Sequence, residues 1–403
     1  MSDQPARPLA GIRVLDIATF LAAPLCATIM AEFGAEVIKI EQPGSGDTMR
    51  KFGTPTERGG DTLAWLSEAR NKRSITLDLR HPEGKALFLR LIEQSDVLCE
   101  NFRPGTLDRW DLGWNVLSAT NPRLVVLRVS GYGQTGPYRG RPGFARIAHA
   151  FGGLSYLAGE RGGTPVVPGS TSLADYMSGL YGAVGVLMAL RARDRDGAGQ
   201  EIDMALYESV FRALDEMAPA YARHGVVRER QGAATVNVCP HSHYPTRDGK
   251  WVAIACTTDK MFSRFAQVIG RPELAAGDRW GDVRARLEAQ AEVDALVADW
   301  TRARTLHEVM QACIDGEVPC GPLNSVADLF ADPHIAARGN LLRLTEPGAG
   351  EVVLPNVLPR LSRTPGAVDS LGPRLGEATT DVFGGLLGLD AAAIADLKRR
   401  GVI

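Results

Sequence analysis

The sequence predicts an α/β fold, a doubly wound parallel sheet with helices on both faces, joined to a second and smaller domain. Three observations predict it. In the first third of the chain, short β-branched apolar runs bounded by turn residues alternate with helical patterns, the arrangement that builds parallel sheets. The chain has 403 residues, more than one domain of ~100–200 residues usually holds. Past residue 226 the composition turns polar and turn-rich before strand and helix patterns resume.

Taken in order, GIRVLDIA (11–18), EVIKIE (36–41), SDVLCENF (95–102) and PRLVVLRVS (122–130) read as strands. LCATIMAEFG (25–34), whose Gly34 suits a helix stop, and HPEGKALFLRLIEQ (81–94) read as helices between them. NKRSITLDLR (71–80) joins a basic cluster to a further strand. After a Gly/Pro-rich loop (131–143) come a helical stretch over 144–158, a helix around Asp175 and an amphipathic helix over 201–225. VRERQGAATVNVCPHSHYPTRDGKW (227–251) is polar, and WVAIAC (251–256) then starts a run of strand and helices to about residue 330. We read 226–330 as the smaller domain. The end of the chain holds a short strand, EVVLPN (351–356), and a last helix, LDAAAIADLKRRGVI.

Bulk chemistry narrows the function classes. A net charge of −2 with 45% hydrophobic and 23% charged residues gives no basic surplus for nucleic acid. No apolar run approaches the ~18 residues of a membrane helix, and MSDQPARPLAG lacks the apolar stretch of a signal peptide, so a cytoplasmic protein is expected. The six cysteines show no CxxC spacing, which predicts neither a thiolate metal site nor a disulfide framework. His241 and His243 stand one residue apart in what reads as a loop, with no third metal ligand in view. No metal is expected.

GYGQTG (131–136) follows a strand and spells the dinucleotide fingerprint, but Pro137 and YRGRPG continue a loop where that fingerprint needs a helix to begin. A flexible loop, usable as a lid, is the better reading. Lys72, Arg73 and Arg80 stand at strand ends, and Asn101, Arg103 and Arg109 surround a Pro-Gly turn. Open α/β sheets bind ligands beyond the carboxyl ends of their strands, so these cations predict a phosphate-bearing ligand. GSTSLADYMSGLYGAV (169–184) is written in small and apolar residues around one carboxylate, Asp175. Such an aspartate either caps its helix or reacts.

GIRVLDIATFLAAP, FGAEVIKIEQPGSGD, NKRSITLDLR, DVLCENFRPGTLDRWDLG, SGYGQTGPYRGRPGF, the Asp175 segment and GAGQEIDMALYES resemble, in that order, the family III CoA-transferases. The likeness runs on through YPTRDGKWVAIAC and VPCGPLNSVADLFADPHIAARG and so spans nearly the whole chain. It implies a Rossmann-like large domain formed by both chain ends (1–225 and 331–403), an inserted small α+β domain (226–330) and an interlocked homodimer. The reacting carboxylate of the family corresponds to Asp175, which would attack an acyl-CoA thioester and pass through an aspartyl anhydride and an aspartyl-CoA thioester. No tightly bound cofactor is implied, and coenzyme A enters as part of the substrate. By position, Phe20, Leu21 and Ala22 match the loop at the thioester, Leu77 and Arg80 the adenine and phosphate contacts, and Asn101, Phe102 and Arg109 the pantetheine and diphosphate region.

Departures from the family pattern bear on the substrate. Gln42 stands where a basic residue is frequent, Leu21 where formyl-CoA transferases carry Gln, and Ala145 where they carry an acid. The pattern is closest to members that use succinyl-CoA with dicarboxylates such as malate, citramalate, itaconate or glutarate derivatives. Arg141, His241 and His243 are the cations that would hold the acceptor's far carboxylate. Related racemases carry a histidine where this chain has Phe144, and His149, further along that helix, reads as a packing residue. The rivals are such a racemase and a CoA-binding subunit without catalysis.

Overall fold

A computed structural model of the chain describes residues 6–276 and 279–403. They form two compact units. The first takes in the chain up to Leu154, Gly169–Glu216 and Arg338–Ile403; the second takes in Ser155–Pro168 and Met217–Ala337. Residues 155–168, 217–225 and 331–337, which the sequence reading assigns to the large domain, thus fall in the second unit.

The first unit is built on six parallel strands: β1 (Arg13–Asp16), β2 (Glu36–Glu41), β3 (Lys72–Thr76), β4 (Val97–Glu100), β5 (Val125–Ser130) and β6 (Glu201–Ala205). Their order is β3-β2-β1-β4-β5-β6, all pairs parallel. This is the doubly wound order, with its switch point between β1 and β4. Side chains alternate across each strand. Leu15, Ile38, Leu98 and Val126 face the helix Pro82–Ile92 and, from the far end of the chain, Val382, Phe383, Leu397 and Ile403. Val14, Val37, Val97 and Leu127 face the helices Ala22–Glu32 and Leu173–Asp196.

Asn71 ties the two chain ends together. It sits at φ +60°, donates from Nδ2 to the Ala367 carbonyl and accepts the N–H groups of Asp369 and Ser370 on Oδ1. The C-terminal region also carries an antiparallel hairpin, Leu341–Glu346 with Gly350–Pro355.

Three expectations need correction. The stretch 201–225 is no single helix: β6 opens it, pairing with β5, and two helices follow at Leu206–Arg212 and Met217–His224. The 144–158 helix breaks after Phe151 at Gly152, where a Cβ would come within 2.9 Å of the carbonyls of Ala148 and Tyr207. Helix Leu173–Asp196 is also long and apolar enough to pass for a membrane span, a feature the sequence reading did not see. Here it is a core helix of the first unit, packed on Ala22–Glu32 through Gly179, which meets Ala22 and Leu25, and Gly182, which meets Cys26.

The second unit holds a small antiparallel sheet, β7 (His241–Pro245), β8 (Trp251–Ala255) and β9 (Cys320–Pro322), in that order. Tyr244, Val252 and Ile254 pack against Phe262, Phe265, Val293, Val297 and Val309 of its helices. His241 and His243 therefore lie on an edge strand opposite Ala255 and Ala253, and not in a loop. Buried Arg286 braces this unit by donating to the carbonyls of Cys239 and Trp280 and to Asp259.

Candidate active site

Parallel strands deliver their loops to one edge of the sheet, and here the loop after β1 is held firmly. Asp16 accepts the Ala18 N–H, and Lys39 donates to the Ala18 carbonyl. Asn101, just past β4, grips Thr19 from both sides, accepting its N–H at 2.8 Å and donating to its carbonyl at 2.7 Å. Asp47 accepts the N–H of Phe20 at 3.0 Å. Phe20 is thereby kept at φ +62°, a left-handed conformation that a bulky residue holds only when its surroundings impose it. Its ring meets Phe52 and Phe144 edge to face, with centroids 6.2 and 6.1 Å apart.

Underneath lies a buried network of three acids and three cations: Asp16, Glu41 and Asp47 with Lys39, Arg50 and Lys72. Lys39 pairs with Asp47 at 2.8 Å, Lys72 with Asp16 at 2.9 Å, and Arg50 with both oxygens of Glu41 at 2.7 Å. Burial works against the charge on Lys39, but Asp16, Asp47 and Glu41 outweigh it and hold the ammonium well above its usual range. Asp47 is held below the usual carboxylate range: burial opposes its charge, and Lys39 with the N–H groups of Met49 and Phe20 prevails. The charges of this network are matched, so a buried array is tolerable.

The network also corrects the reading of the NKR cluster. Lys72 and Arg73 start at the amino end of β3; the buried Lys72 ammonium is taken up by Asp16 and the Pro24 carbonyl and Arg73 by Glu36, and neither residue lines a cleft where a ligand would sit. Arg80 lies beyond the carboxyl end, folded onto Asp78 at 3.0 Å. It lines one cleft with Leu77, Gln42, Thr19, Phe102 and Trp110. Phe102 and Trp110 meet edge to face at 5.2 Å, which offers flat apolar surface beside a cation.

A second cleft shares Thr19 and Phe102 with the first. Phe20, Leu21, Ala22, Asn101, Arg103, Gly131, Arg141, Gly143, Phe144, Asp175 and Leu206 line it. Nine of the positions singled out from the sequence are thus brought to one place: Phe20, Leu21, Ala22, Asn101, Phe102, Arg103, Arg141, Phe144 and Asp175. Arg109 lines neither cleft; it is exposed and donates to Thr106. His241 and His243 belong to the second unit and are not among the lining residues. Asn101 touches the loop through two backbone bonds, so its side chain holds the cleft wall. The 131–143 loop is closed at its neck, since a Cβ on Gly131 would stand 2.8 Å from the Gly143 Cα.

Asp175 is the third residue of the helix Leu173–Asp196. It does not cap. The N-cap, Ser172, makes no side-chain capping bond, and among the described residues no donor sits on the Asp175 carboxylate. Burial pushes that carboxyl up to about 6, as expected for an acid removed from water without a compensating partner. The donor at the helix start, the Ala174 N–H, goes instead to Nε2 of His149 at 2.9 Å. That bond escaped the sequence reading, which took His149 for packing alone.

The small residues that surround Asp175 explain how the helix reaches this place. A Cβ on Gly179 would lie 2.8 Å from the Ala22 carbonyl and from Leu25, and one on Gly182 would lie 2.8 Å from Leu127. Glycine alone lets the two helices approach so closely. The helix Ala22–Glu32 begins within the same cleft with no side-chain cap, and Pro24 in its first turn has no N–H. The N–H groups of Ala22 and Ala23 have no partner within the helix. A buried carboxylate without a donor and the N–H of Ala22 at a helix start, both in one cleft, form an arrangement that suits attack on a carbonyl whose oxygen becomes negative.

Residues 9–379 match the family described as CoA-transferase family III. The chain is 58% identical over 398 residues to the succinyl-CoA–L-malate CoA-transferase beta subunit of Chloroflexus aurantiacus, covering 98% of each chain. It is 45% identical over 402 residues to the succinyl-CoA–D-citramalate CoA-transferase of the same organism, covering 100% of each. Among solved structures, a CAIB/BAIF family protein from Brucella suis shares the fold with a TM-score of 0.83 and 34% identity, over 95% of this chain and 100% of that one. The likeness covers both ends of the chain and the loops that shape the Asp175 cleft, and the chain belongs to CoA-transferase family III.

Proposed function

We propose that this protein moves CoA from succinyl-CoA to a small hydroxydicarboxylic acid of the malate or citramalate type, with Asp175 as the group that carries first the acyl and then the CoA. The observation that carries this reading is Asp175 itself: a carboxylate pushed up by burial, without a hydrogen-bond donor among the described residues, in a cleft that opens at an uncapped helix start. The naming of the two Chloroflexus relatives supports the donor and the acceptor class.

An Asp175 oxygen attacks the thioester carbonyl, and the C–S bond breaks to leave a mixed anhydride and CoA thiolate. The thiolate attacks the Asp175 carbonyl; the anhydride C–O bond breaks, succinate departs and aspartyl-CoA remains. An acceptor carboxylate oxygen then attacks the aspartyl carbonyl and expels CoA thiolate, giving a second anhydride. The thiolate attacks the acceptor's acyl carbon and frees Asp175. No proton is gained or lost overall. Each tetrahedral stage carries a negative oxygen, which the N–H of Ala22, a lining residue at the helix start, is suited to stabilise. Both intermediates hydrolyse, so an apolar wall of Phe20, Leu21 and Phe144 has a chemical purpose.

Arg80, Phe102 and Trp110 would hold the nucleotide end of CoA. Arg141, which lines the cleft and stacks on Tyr138 at 3.6 Å, would pair with the acceptor's second carboxylate; His241 and His243 are assigned to the same carboxylate with less support, since they do not line the cleft. A racemase needs an acid or base on each face of the α-carbon, and among the described lining residues Asp175 is the one carboxylate or imidazole.

For the assembly, the helix Leu173–Asp196 supports a dimer. Leu173, Tyr176, Leu180, Val184, Leu187 and Met188 recur at helical spacing on its outer side and are exposed, Leu180 by 56% and Met188 by 68%. A contiguous apolar stripe of this kind marks an interface. We assign it to a second copy of the chain, interlocked as the family resemblance implies. All six cysteines are free thiols, which supports a cytoplasmic location.

The test is incubation with succinyl-CoA, quenching, and intact-mass and peptide analysis after hydroxylamine. A CoA-sized adduct on Asp175 that is absent from Asp175→Ala supports the reading. An unmodified protein that nonetheless exchanges CoA between acids would overturn it.

A further inference from the structure

His149 is fully buried on the helix Ala145–Phe151, whose N-cap, Phe144, lines the Asp175 cleft. Its Nε2 accepts the N–H of Ala174, the residue before Asp175, across 25 positions of sequence. This is the kind of bond that Ser172, the N-cap, does not make. An Nε2 that accepts carries no proton, so the imidazole is neutral with its proton on Nδ1. That Nδ1 is buried and has no partner among the described residues. A side chain present only to fill space would incur this unpaired N–H for nothing, since a phenyl or isobutyl group fills a core without it.

A second polar contact lies one turn along the same buried side. Ser178 Oγ meets Ser209 Oγ at 2.9 Å, and Ser209 also bonds the carbonyl of Leu206, a residue of the cleft wall. The two contacts bracket Asp175 and fix the rotation of its helix about its own axis. Turning the helix by about 10° would move a carboxylate ~5 Å from the axis by about 1 Å, a displacement that by itself costs on the order of 10²-fold in rate.

Resting on the reading of Asp175 as nucleophile, we propose that His149 is a positioning residue: as a neutral acceptor on the Ala174 N–H it sets where the Asp175 carboxylate stands against the thioester. A neutral cap serves here better than a cation would. It satisfies the helix start without placing a positive charge beside the carboxylate, which would hold the nucleophile's electrons back.

The experiment compares full-length wild type, His149→Phe and His149→Gln in single-turnover labelling of Asp175 by succinyl-CoA, with CoA affinity measured by calorimetry. The amide oxygen of Gln can accept the same N–H; phenylalanine cannot. We expect labelling by His149→Phe to slow by roughly ten- to hundredfold with CoA affinity within about twofold, and His149→Gln to return to within about threefold of wild type. Labelling by His149→Phe at the wild-type rate, or equal losses in the Phe and Gln variants, would overturn the proposal. Nitrogen-15 spectra of histidine-labelled wild type test it without any variant: an Nδ1–H tautomer of His149 at neutral pH is expected, and an Nε2–H tautomer or an imidazolium refutes it. Should wild type itself fail to label, the nucleophile reading falls, and a distinct Nδ1–H signal still reports the cap.

Discussion

Replacing Asp175 by Asn should make the protein more stable while removing its reactivity. Burial raises this carboxyl from 3.8 to about 6, and each tenfold weakening of an acid corresponds to ~1.4 kcal/mol between its two protonation states. The ionised carboxylate therefore opposes folding at neutral pH by ~3 kcal/mol, which we trim to ~1–3 kcal/mol because part of the group still meets water. Because the folded-state value lies above the unfolded one, this cost is fully present above pH ~6 and fades as the pH falls through 6 towards 4. The amide has the same size and no charge at any pH. Urea unfolding of both proteins at equal concentration should show Asp175→Asn ahead by ~1–3 kcal/mol at pH 8, with the gap closing near pH 4. An Asn variant that is less stable at pH 8, or a gap that does not change with pH, would refute the claim that Asp175 is held in a water-poor site without a partner.

The same ionisation governs rate. Labelling of Asp175 by succinyl-CoA should be flat above pH ~7 and fall about tenfold for each further pH step of one below pH ~6; a profile flat down to pH ~4.5 would exclude a nucleophile with the pKa of about 6 that burial imposes. Asn101→Ala removes both bonds to Thr19, so it should cost ~1–3 kcal/mol of stability and raise KM for succinyl-CoA, whereas an unchanged KM would mean the loop keeps its shape unaided. Arg50→Met leaves Glu41 buried without its two bonds and should destabilise by ~3–5 kcal/mol, measured by the same urea unfolding. Arg141→Ala should raise KM for a dicarboxylate acceptor about tenfold and leave KM for a monocarboxylate unchanged, and equal changes for the two would remove Arg141 from acceptor binding.

What the chain disclosed in advance follows physical lines. Parallel strands buried on both faces are written as unbroken apolar runs, so β1, β2, β4 and β5 stood out. β6 did not, because five residues of alternation, Glu201 and Asp203 outward with Ile202 and Met204 half-buried, run straight into the helix Leu206–Arg212 and merge with its period. β7 was hidden for another reason. HSHYP has almost none of the β-branched content of a strand, and its only claim to be one is pairing with Trp251–Ala255, which is not local. Asp175 was legible because one carboxylate among small and apolar residues is conspicuous. What holds the site around it was not: His149 on Ala174, Asn101 on Thr19 and Asp47 on Phe20 link positions 25 to 82 residues apart.

The misplaced cations of NKRSITLDLR are a different case, since strand direction alone could have placed them. Ligands of a doubly wound sheet lie beyond the carboxyl ends of its strands. β3 runs from Lys72 to Thr76, so at ~3.3 Å per residue the Lys72 backbone starts about 13 Å short of the strand's carboxyl end and its ammonium is spent on buried Asp16, while Arg80 lies past that end. The cluster thereby separates into two jobs. Lys72 neutralises Asp16, the acid that orders the loop after β1, and Arg80 faces the cleft. A variant pair tests the division: Arg80→Ala should weaken CoA binding with little change in stability, and Lys72→Met should unfold the protein more readily by ~3–5 kcal/mol by leaving Asp16 short of a partner. Loss of CoA affinity from Lys72→Met in a protein of wild-type stability would put that lysine back at the ligand.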